Sequence, residues 1–458
     1  MTRMRQKIQL ELAFTAEERG EAPRAAGEGT ERVAARDETE RPADTERLME
    51  QICQRENLKA ALKRVQSNKG SPGVDGMTVG ELEGCLKEHW PAIREQLLSG
   101  TYRPQPVRRV EIPKPGGGMR KLGIPSVLDR FIQQAVLQVL QGRWDPTFSQ
   151  HSYGFRPGRS AHQAVAQAQE YIAAGHRWVV DIDLEKFFDR VNHDLLMGRV
   201  AKRIADKRVL KLIRAYLNAG IMEDGLVSPS VMGTPQGGPL SPLLSNVLLD
   251  DLDRELERRG HRFARYADDC NIYVRSARAG QRVMESVARW LTVRLKLKVN
   301  PAKSAVARAG ERKFLGFGFT SEAQPRRRIA RESLARLRQR VRAITRRTRG
   351  VALESMTAQL ARYLAGWRGY FGFCETPSVL LALDHWIRRR MRCVAWKQWK
   401  RGRTRFAELR KRGVGRDLAA QTAGSAHGPW RIAKSPALHL ALPNAYFTAL
   451  HITSLAAP

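Results

Sequence analysis

The sequence predicts a mixed α+β protein of several subdomains arranged around a shared cleft, and three observations predict it. At 458 residues the chain is too long for one ordinary core. Strand-like and helix-like stretches alternate through its middle. A hydrophobic fraction of 42% is ample for a folded, soluble protein, and no stretch approaches the ~20 consecutive apolar residues that span a bilayer.

The elements follow in chain order. Residues 1–50 carry 9 basic and 12 acidic side chains with few apolar anchors, the composition of a mobile leader that cannot bury enough to fold. Residues 107–112 and 119–124 read as two strands joined by the Pro113-Lys114-Pro115-Gly116-Gly117-Gly118 turn, and a helix follows over 128–140. In Trp178-Val179-Val180-Asp181-Ile182-Asp183, strand alternation sends Trp178, Val180 and Ile182 to one face and Val179, Asp181 and Asp183 to the other. Ser241-Pro242 reads as a helix cap with proline at the first helical position, and Leu244, Leu248, Leu252 and Leu256 continue at spacing four. Residues 262–265 and 271–274 read as strands flanking Tyr266-Ala267-Asp268-Asp269. Leu334, Leu337, Val341 and Ile344 then form one apolar stripe, with Arg336, Arg340, Arg342, Arg346 and Arg347 on the other faces.

A net charge of +34, from 80 Lys and Arg against 46 Asp and Glu, implies a polyanionic partner, since each phosphate neutralised by a cation releases condensed counterion. Residues 326–412 alone hold 25 Lys and Arg against 5 Asp and Glu. The five cysteines, at 53, 85, 270, 374 and 393, show neither a CxxC pair nor zinc-like spacing, which suits free thiols in a reducing cytoplasm. The N-terminus lacks the apolar stretch of a signal peptide.

Two carboxylates on one strand face, Asp181 and Asp183, repel if buried alone, so they either reach water or hold a cation. The same holds for Asp268 and Asp269. If hairpin and strand join one sheet, Asp183 and Asp268 converge on a pair of hard cations; oxygen ligands suit Mg²⁺, which accepts substrate phosphates as further ligands. Two such ions serve nucleotidyl transfer, activating a hydroxyl and stabilising the leaving pyrophosphate.

In order, residues 114–121, Ser152-Tyr153-Gly154-Phe155-Arg156-Pro157-Gly158, residues 181–188, Gly233-Thr234-Pro235-Gln236-Gly237-Gly238, residues 266–269 and Phe314-Leu315-Gly316-Phe317 resemble the successive motifs of reverse transcriptases, and specifically of the group II intron-encoded reverse transcriptase/maturase family, over about residues 55–400. The resemblance implies a right-hand polymerase: fingers, a palm with an antiparallel sheet, and a helical thumb. It implies Asp183, Asp268 and Asp269 as catalytic metal ligands, with the Leu184 carbonyl joining them and Asp181 behind them. Two Mg²⁺ ions are implied, with Mn²⁺ as a substitute.

For the incoming dNTP the resemblance implies Lys114, Arg120 and Lys121 on the fingers hairpin, Phe188 as the ring that excludes a ribose 2′-hydroxyl, Gln236 in its glycine-rich loop, and Lys303. An ordinary core phenylalanine is the alternative for Phe188, and Lys303 could equally be a solvated loop lysine. Tyr153, Phe155 and Arg156 fall in a block that meets template and fingers. Residues 314–317 resemble the primer grip, an aromatic core strand being the alternative. In the thumb, where most tryptophans should be core, Arg388, Arg389, Arg390, Lys397, Lys400 and Arg401 are the expected RNA contacts.

The expected organisation is therefore a leader over 1–50, fingers and palm over 51–323, a basic helical thumb or maturase domain over 324–412, and a short C-terminal segment over 413–458 without an endonuclease. The implied partners are group II intron RNA, a DNA target or primer and dNTPs, with no membrane; a homodimer is left open. A cytoplasmic, nucleoid-associated protein of a bacterium is implied. A splicing-only maturase stands as the rival from another class, and retron, diversity-generating or CRISPR-associated enzymes as rivals within the class.

Overall fold

Ten strands and a series of helices make up the computed structural model, which describes residues 45–456 except 114–117, 224–225, 229–231 and 234–236. Most of the expected leader, together with Lys114 and Gln236, lies outside the described residues. The strands are β1 (Val107–Pro113), β2 (Met119–Ile124), β3 (Trp178–Ile182), β4 (Ile221–Glu223), β5 (Leu226–Ser228), β6 (Arg262–Tyr266), β7 (Asp269–Val274), β8 (Ala305–Arg308), β9 (Phe317–Phe319) and β10 (Arg327–Ile329). They form a sheet in the order β2-β1-β4-β5, a second in the order β6-β7-β3-β8, and the pair β10-β9.

The expected fingers hairpin is present, with β1 antiparallel to β2 and Pro113 opposite Met119 at its outer end. Behind it, the helix Val127–Trp144 is capped by the Ser126 hydroxyl, which accepts from the Asp129 amide. This satisfies one of the amides a helix start leaves without a partner. The helix buries Phe131, Ile132, Val136 and Leu140.

The second sheet is antiparallel throughout, β6 to β7, β7 to β3 and β3 to β8. Strand alternation divides its side chains as the sequence predicts. Val180, Ile182, Cys270 and Ile272 join the large core cluster, while Val179 and Tyr273 join a smaller aromatic one on the other face. The helix Ser241–Arg258 carries Leu244, Leu248, Leu252 and Leu256 into the large cluster. Its cap is Leu240 rather than Ser241, which already lies inside the first turn. Pro242 still sits in that turn, where a missing N–H costs nothing.

The helix Arg331–Ile344 buries Leu337, Val341 and Ile344 and packs with Leu353–Phe371 and Pro377–Gln398 around Trp367, Trp396 and Trp399. Two expected boundaries move. Residues 413–456 are no separate segment: Val414, Ile432, Leu438, Phe447 and Leu455 belong to the same cluster, and the Asp384 carboxylate accepts from the Leu455 amide at 3.0 Å. The expected leader ends early, because Leu48–Ile52 is a helix with Leu48 and Met49 in the core and the Met49 amide donates to Asp206 at 2.9 Å. Fingers, a palm with an antiparallel sheet and a helical thumb make this the right-hand polymerase fold.

One buried ion pair ties the palm hairpin to its support. Arg265 on β6 and Asp253 on the helix Ser241–Arg258 are both 0% exposed, and Nε and Nη2 of Arg265 donate to the two carboxylate oxygens at 2.7 and 2.5 Å. Nη1 donates to Asn246 Oδ1 and to the Ala267 carbonyl, and Nη2 also to Ser152 Oγ. All five N–H donors of the guanidinium are therefore used. Removing one partner leaves an uncompensated charge in the core, which costs about 3–5 kcal/mol. Asp253→Ala should lower the unfolding free energy by about that amount in urea denaturation; a loss below ~1 kcal/mol would show that the pair holds little.

Candidate catalytic carboxylate site

The site begins where β3 ends. Asp181 pairs with Asn271 and Ile182 with Cys270, so Asp183 leaves the strand beside the start of β7. On the hairpin, Tyr266 pairs with Asp269 and the tip is only Ala267 and Asp268. Ala267 takes φ +60°, a left-handed conformation that a side chain adopts at some cost. Two contacts hold it there: the Arg265 guanidinium on its carbonyl at 2.8 Å, and Gly154, where a Cβ would fall 2.3 Å from the Ala267 amide nitrogen. Gly154 is thus required by close approach. Its segment pairs with β6, the Tyr153 amide donating to the Arg265 carbonyl at 2.9 Å. Asn246 Nδ2 donates to the Gly154 carbonyl at 2.9 Å.

Asp183 is held from the other side. Its amide donates to Ser304 Oγ at 2.9 Å and its carbonyl accepts from the Asn300 amide at 2.8 Å. Lys303 Nζ, in the same loop, lies 3.6 Å from Asp183 Oδ2. Arg312 pairs with the Asp181 carboxylate and donates to the Lys303 carbonyl at 2.9 Å. Asp181 thus has a cation of its own and anchors the Lys303 loop.

The carboxylates feel one another. Burial, then Asp181, Asp268 and Asp183, push Asp269 up to about 7. Asp268 is raised by burial and by Asp183, against Arg120. Asp181 is raised by burial despite Arg312. Asp183, Asp268 and Asp269 offer hard oxygen donors and an excess of negative charge, which fits a divalent cation. Among the described residues no three His, Cys, Asp or Glu groups close on an ion by themselves.

The other expected residues divide. Phe188 is half-buried, packs against the large core cluster and stands edge-on to the buried Phe187 at 5.1 Å. Leu184 is buried and bridges Val299. A Cβ on Gly233, at φ +94°, would fall 2.8 Å from the Phe188 carbonyl, so Gly233 itself runs against the backbone of Phe188. Arg120 and Lys121 are exposed on β2, Lys121 lying 3.7 Å from Glu111. Phe155 is 47% exposed with its ring 6.3 Å from Tyr266.

Three expectations are corrected. Phe314 and Phe317 are core residues, exposed by 1% and 0%. Only the Leu315-Gly316 turn reaches the surface, with the Tyr370 hydroxyl donating to the Leu315 carbonyl at 2.7 Å. Arg156 is buried and bonds Asp145 and the carbonyls of Ser149 and Ser152. Of the thumb arginines, Arg388 is buried beside Asp384 at 3.5 Å. Arg389 stacks on Trp430 at 3.9 Å, and Arg390 donates to Thr345 Oγ1 at 2.8 Å. Arg389 and Arg390 tie their helix to Trp430 and to Thr345, while Arg388 pairs within its own helix, because a buried charge must find a partner. Lys397, Lys400 and Arg401 are exposed as expected.

The raised carboxylates set a pH dependence. A group raised from 3.8 to about 7 in the folded state stabilises fully below its unfolded value, and that stability is lost as pH rises through about 7. Metal-free protein should therefore lose thermal stability between about pH 4 and 7, and a divalent cation should restore it more at about pH 8 than at about pH 5.5. Asp269→Asn should flatten both effects in calorimetry; an unchanged cation gain in that variant would remove Asp269 from the site.

Comparison with known proteins follows this geometry. Residues 112–319 match the family described as Reverse transcriptase (RNA-dependent DNA polymerase), and residues 334–413 match the Group II intron, maturase-specific domain. The chain is 41% identical to Protein YkfC of Escherichia coli (strain K12) over 47% of this chain and 58% of that protein. It is 40% identical to the Group II intron-encoded protein LtrA of Lactococcus lactis subsp. cremoris over 42% of this chain and 32% of that one. A Putative COX1/OXI3 intron 1 protein of Saccharomyces cerevisiae (strain ATCC 204508 / S288c) is 33% identical over 44% of this chain and 24% of its own length. The aligned stretch thus spans 58% of the first relative and a third or less of the other two. The chain thus carries a match to a reverse transcriptase domain followed by a match to a group II intron maturase-specific domain.

Proposed function

We propose that this chain is an RNA-directed DNA polymerase that copies intron RNA into cDNA and assists the splicing of that RNA. The observation that carries the reading is the meeting of Asp183, from the end of β3, with Asp268 and Asp269, from the β6–β7 tip, on one face of the palm sheet. Asp183, Asp268 and Asp269, with the Leu184 carbonyl, would hold Mg²⁺. When bound, that metal lowers the charge barrier to attack of a primer 3′-hydroxyl on a nucleoside triphosphate.

The protein's own groups do the positioning. Arg120 already acts on Asp268 electrostatically, so the fingers strand brings a cation to the carboxylates where a triphosphate would lie. Lys303, 3.6 Å from Asp183, offers a second cation on the other side. Phe188, half-buried and backed by Phe187 and by Gly233, would exclude a ribose 2′-hydroxyl by volume. The Leu315-Gly316 turn, held by Tyr370, supplies backbone to meet the primer strand.

The exposed Lys397, Lys400 and Arg401 are proposed to meet phosphates of structured RNA, which is read largely by shape and backbone. The presence of all three carboxylates speaks against a chain kept only for RNA binding. In primer extension on an RNA template with dNTPs and Mg²⁺, wild-type protein should yield template-length cDNA and Asp268→Asn should lose at least about 10²-fold in rate. Equal activity in both proteins, or none in wild type, would contradict the polymerase reading.

A further inference from the structure

The helix Ala277–Trp290 covers the palm sheet on the face opposite the carboxylates. A Cβ on Gly280 would lie 2.4 Å from Val306 and within 3.6 Å of Val274 and Val180. Val180 points away from Asp181 and Asp183 by strand alternation. The apolar side of the helix is thus spent on the sheet, where Gly280 and Val287 are buried.

Its outer side is basic. Residues 275–298 hold seven Lys and Arg against the single acid Glu285. Arg278, Arg282 and Arg289 follow one another at four and seven residues, which sets them in one row along the helix, about 16 Å from first to last. Arg294 follows five residues beyond Arg289. All four are exposed, and among the described residues none of them is paired with a carboxylate. The neighbouring helix Ser241–Arg258 behaves differently. Its Arg254 pairs with Asp250 at 2.9 Å and its Arg258 with Glu255 at 2.8 Å. A basic protein that neutralises arginines on one helix and leaves a row of them free on the next has kept that row's donors for an outside anion.

We propose that Arg278, Arg282 and Arg289 form a docking row for the phosphate backbone of base-paired RNA on the back of the palm, distinct from the polymerase cleft and from the thumb. Guanidinium groups match phosphate with paired donors and stay charged, and a straight row suits a regular backbone recognised by shape. A membrane surface fits poorly. The apolar side that would enter lipid is already buried against the sheet, which leaves Val293 as the large hydrophobic residue exposed nearby. The inference rests on the reading of the chain as an RNA-handling polymerase.

The test uses the full chain with its cleft preoccupied by a short template–primer, and a fully paired RNA duplex as probe. The triple variant Arg278→Gln, Arg282→Gln, Arg289→Gln should bind the duplex about tenfold more weakly, with the slope of log affinity against log salt reduced by about 2–3. Its primer extension rate and KM on the short template–primer should stay unchanged, which separates this row from the polymerase reading. The matching lysine triple should keep most of the slope, because the charge remains. An unchanged duplex affinity and slope in the glutamine triple would overturn the proposal. So would binding lost from phosphatidylserine vesicles while duplex binding stays intact.

Discussion

The buried guanidinium of Arg265 is the interaction on which the rest of the palm depends. A charge taken out of water must have every donor answered, so its neighbours are fixed in place. Asp253 takes two N–H groups and Asn246, Ser152 and the Ala267 carbonyl take the others. The last of these bonds matters most for the site. It holds the peptide just before Asp268 in an unfavourable left-handed turn, and Gly154 closes the other side. Asp268 and Asp269 are held toward Asp183 by a cage whose parts lie on three separate stretches of chain.

The basic residues then sort by what surrounds them. Where helices pack, arginines are absorbed into structure: Arg156 on Asp145, Arg203 on Asp250, Arg388 beside Asp384, Arg389 on Trp430. Around the carboxylates they are sparse and placed singly, with Lys303 on Asp183, Arg312 on Asp181 and Arg120 acting on Asp268. Burial and the neighbouring carboxylates leave Asp269 raised to about 7, a balance a divalent cation corrects. The large net charge is therefore three populations with different work: internal struts, site electrostatics and open nucleic-acid surface.

The carboxylates were legible in the sequence because their chemistry is local. Alternation along residues 178–183 assigns Asp181 and Asp183 to one face, and a short acidic turn between two strands is a hairpin tip. The strands, the leucine helix and the apolar stripe of residues 334–344 were legible for the same reason, as period and spacing state them directly. Arg265 was not, since its partners stand 12, 19 and 113 residues away and an arginine beside Tyr266 reads as an ordinary strand residue. Gly154 could have been suspected from its place among bulky residues, yet nothing local says that a hairpin tip lies against it. The thumb arginines misled because a run such as Arg388-Arg389-Arg390 has to occupy several faces of one helix. Only packing tells which face is inward. Phe314 and Phe317 misled likewise, their turn reaching the surface while both rings fill the core.

The measurement that bears most directly on the account is a count of Mn²⁺ ions bound per chain by electron paramagnetic resonance, in the presence of template–primer and a non-hydrolysable dNTP analogue. Wild-type protein should bind about two ions, and Asp183→Asn should lose at least one of them while keeping its fold. Unchanged occupancy in Asp183→Asn, or no bound ion in wild type, would contradict a site in which the strand and hairpin carboxylates act together.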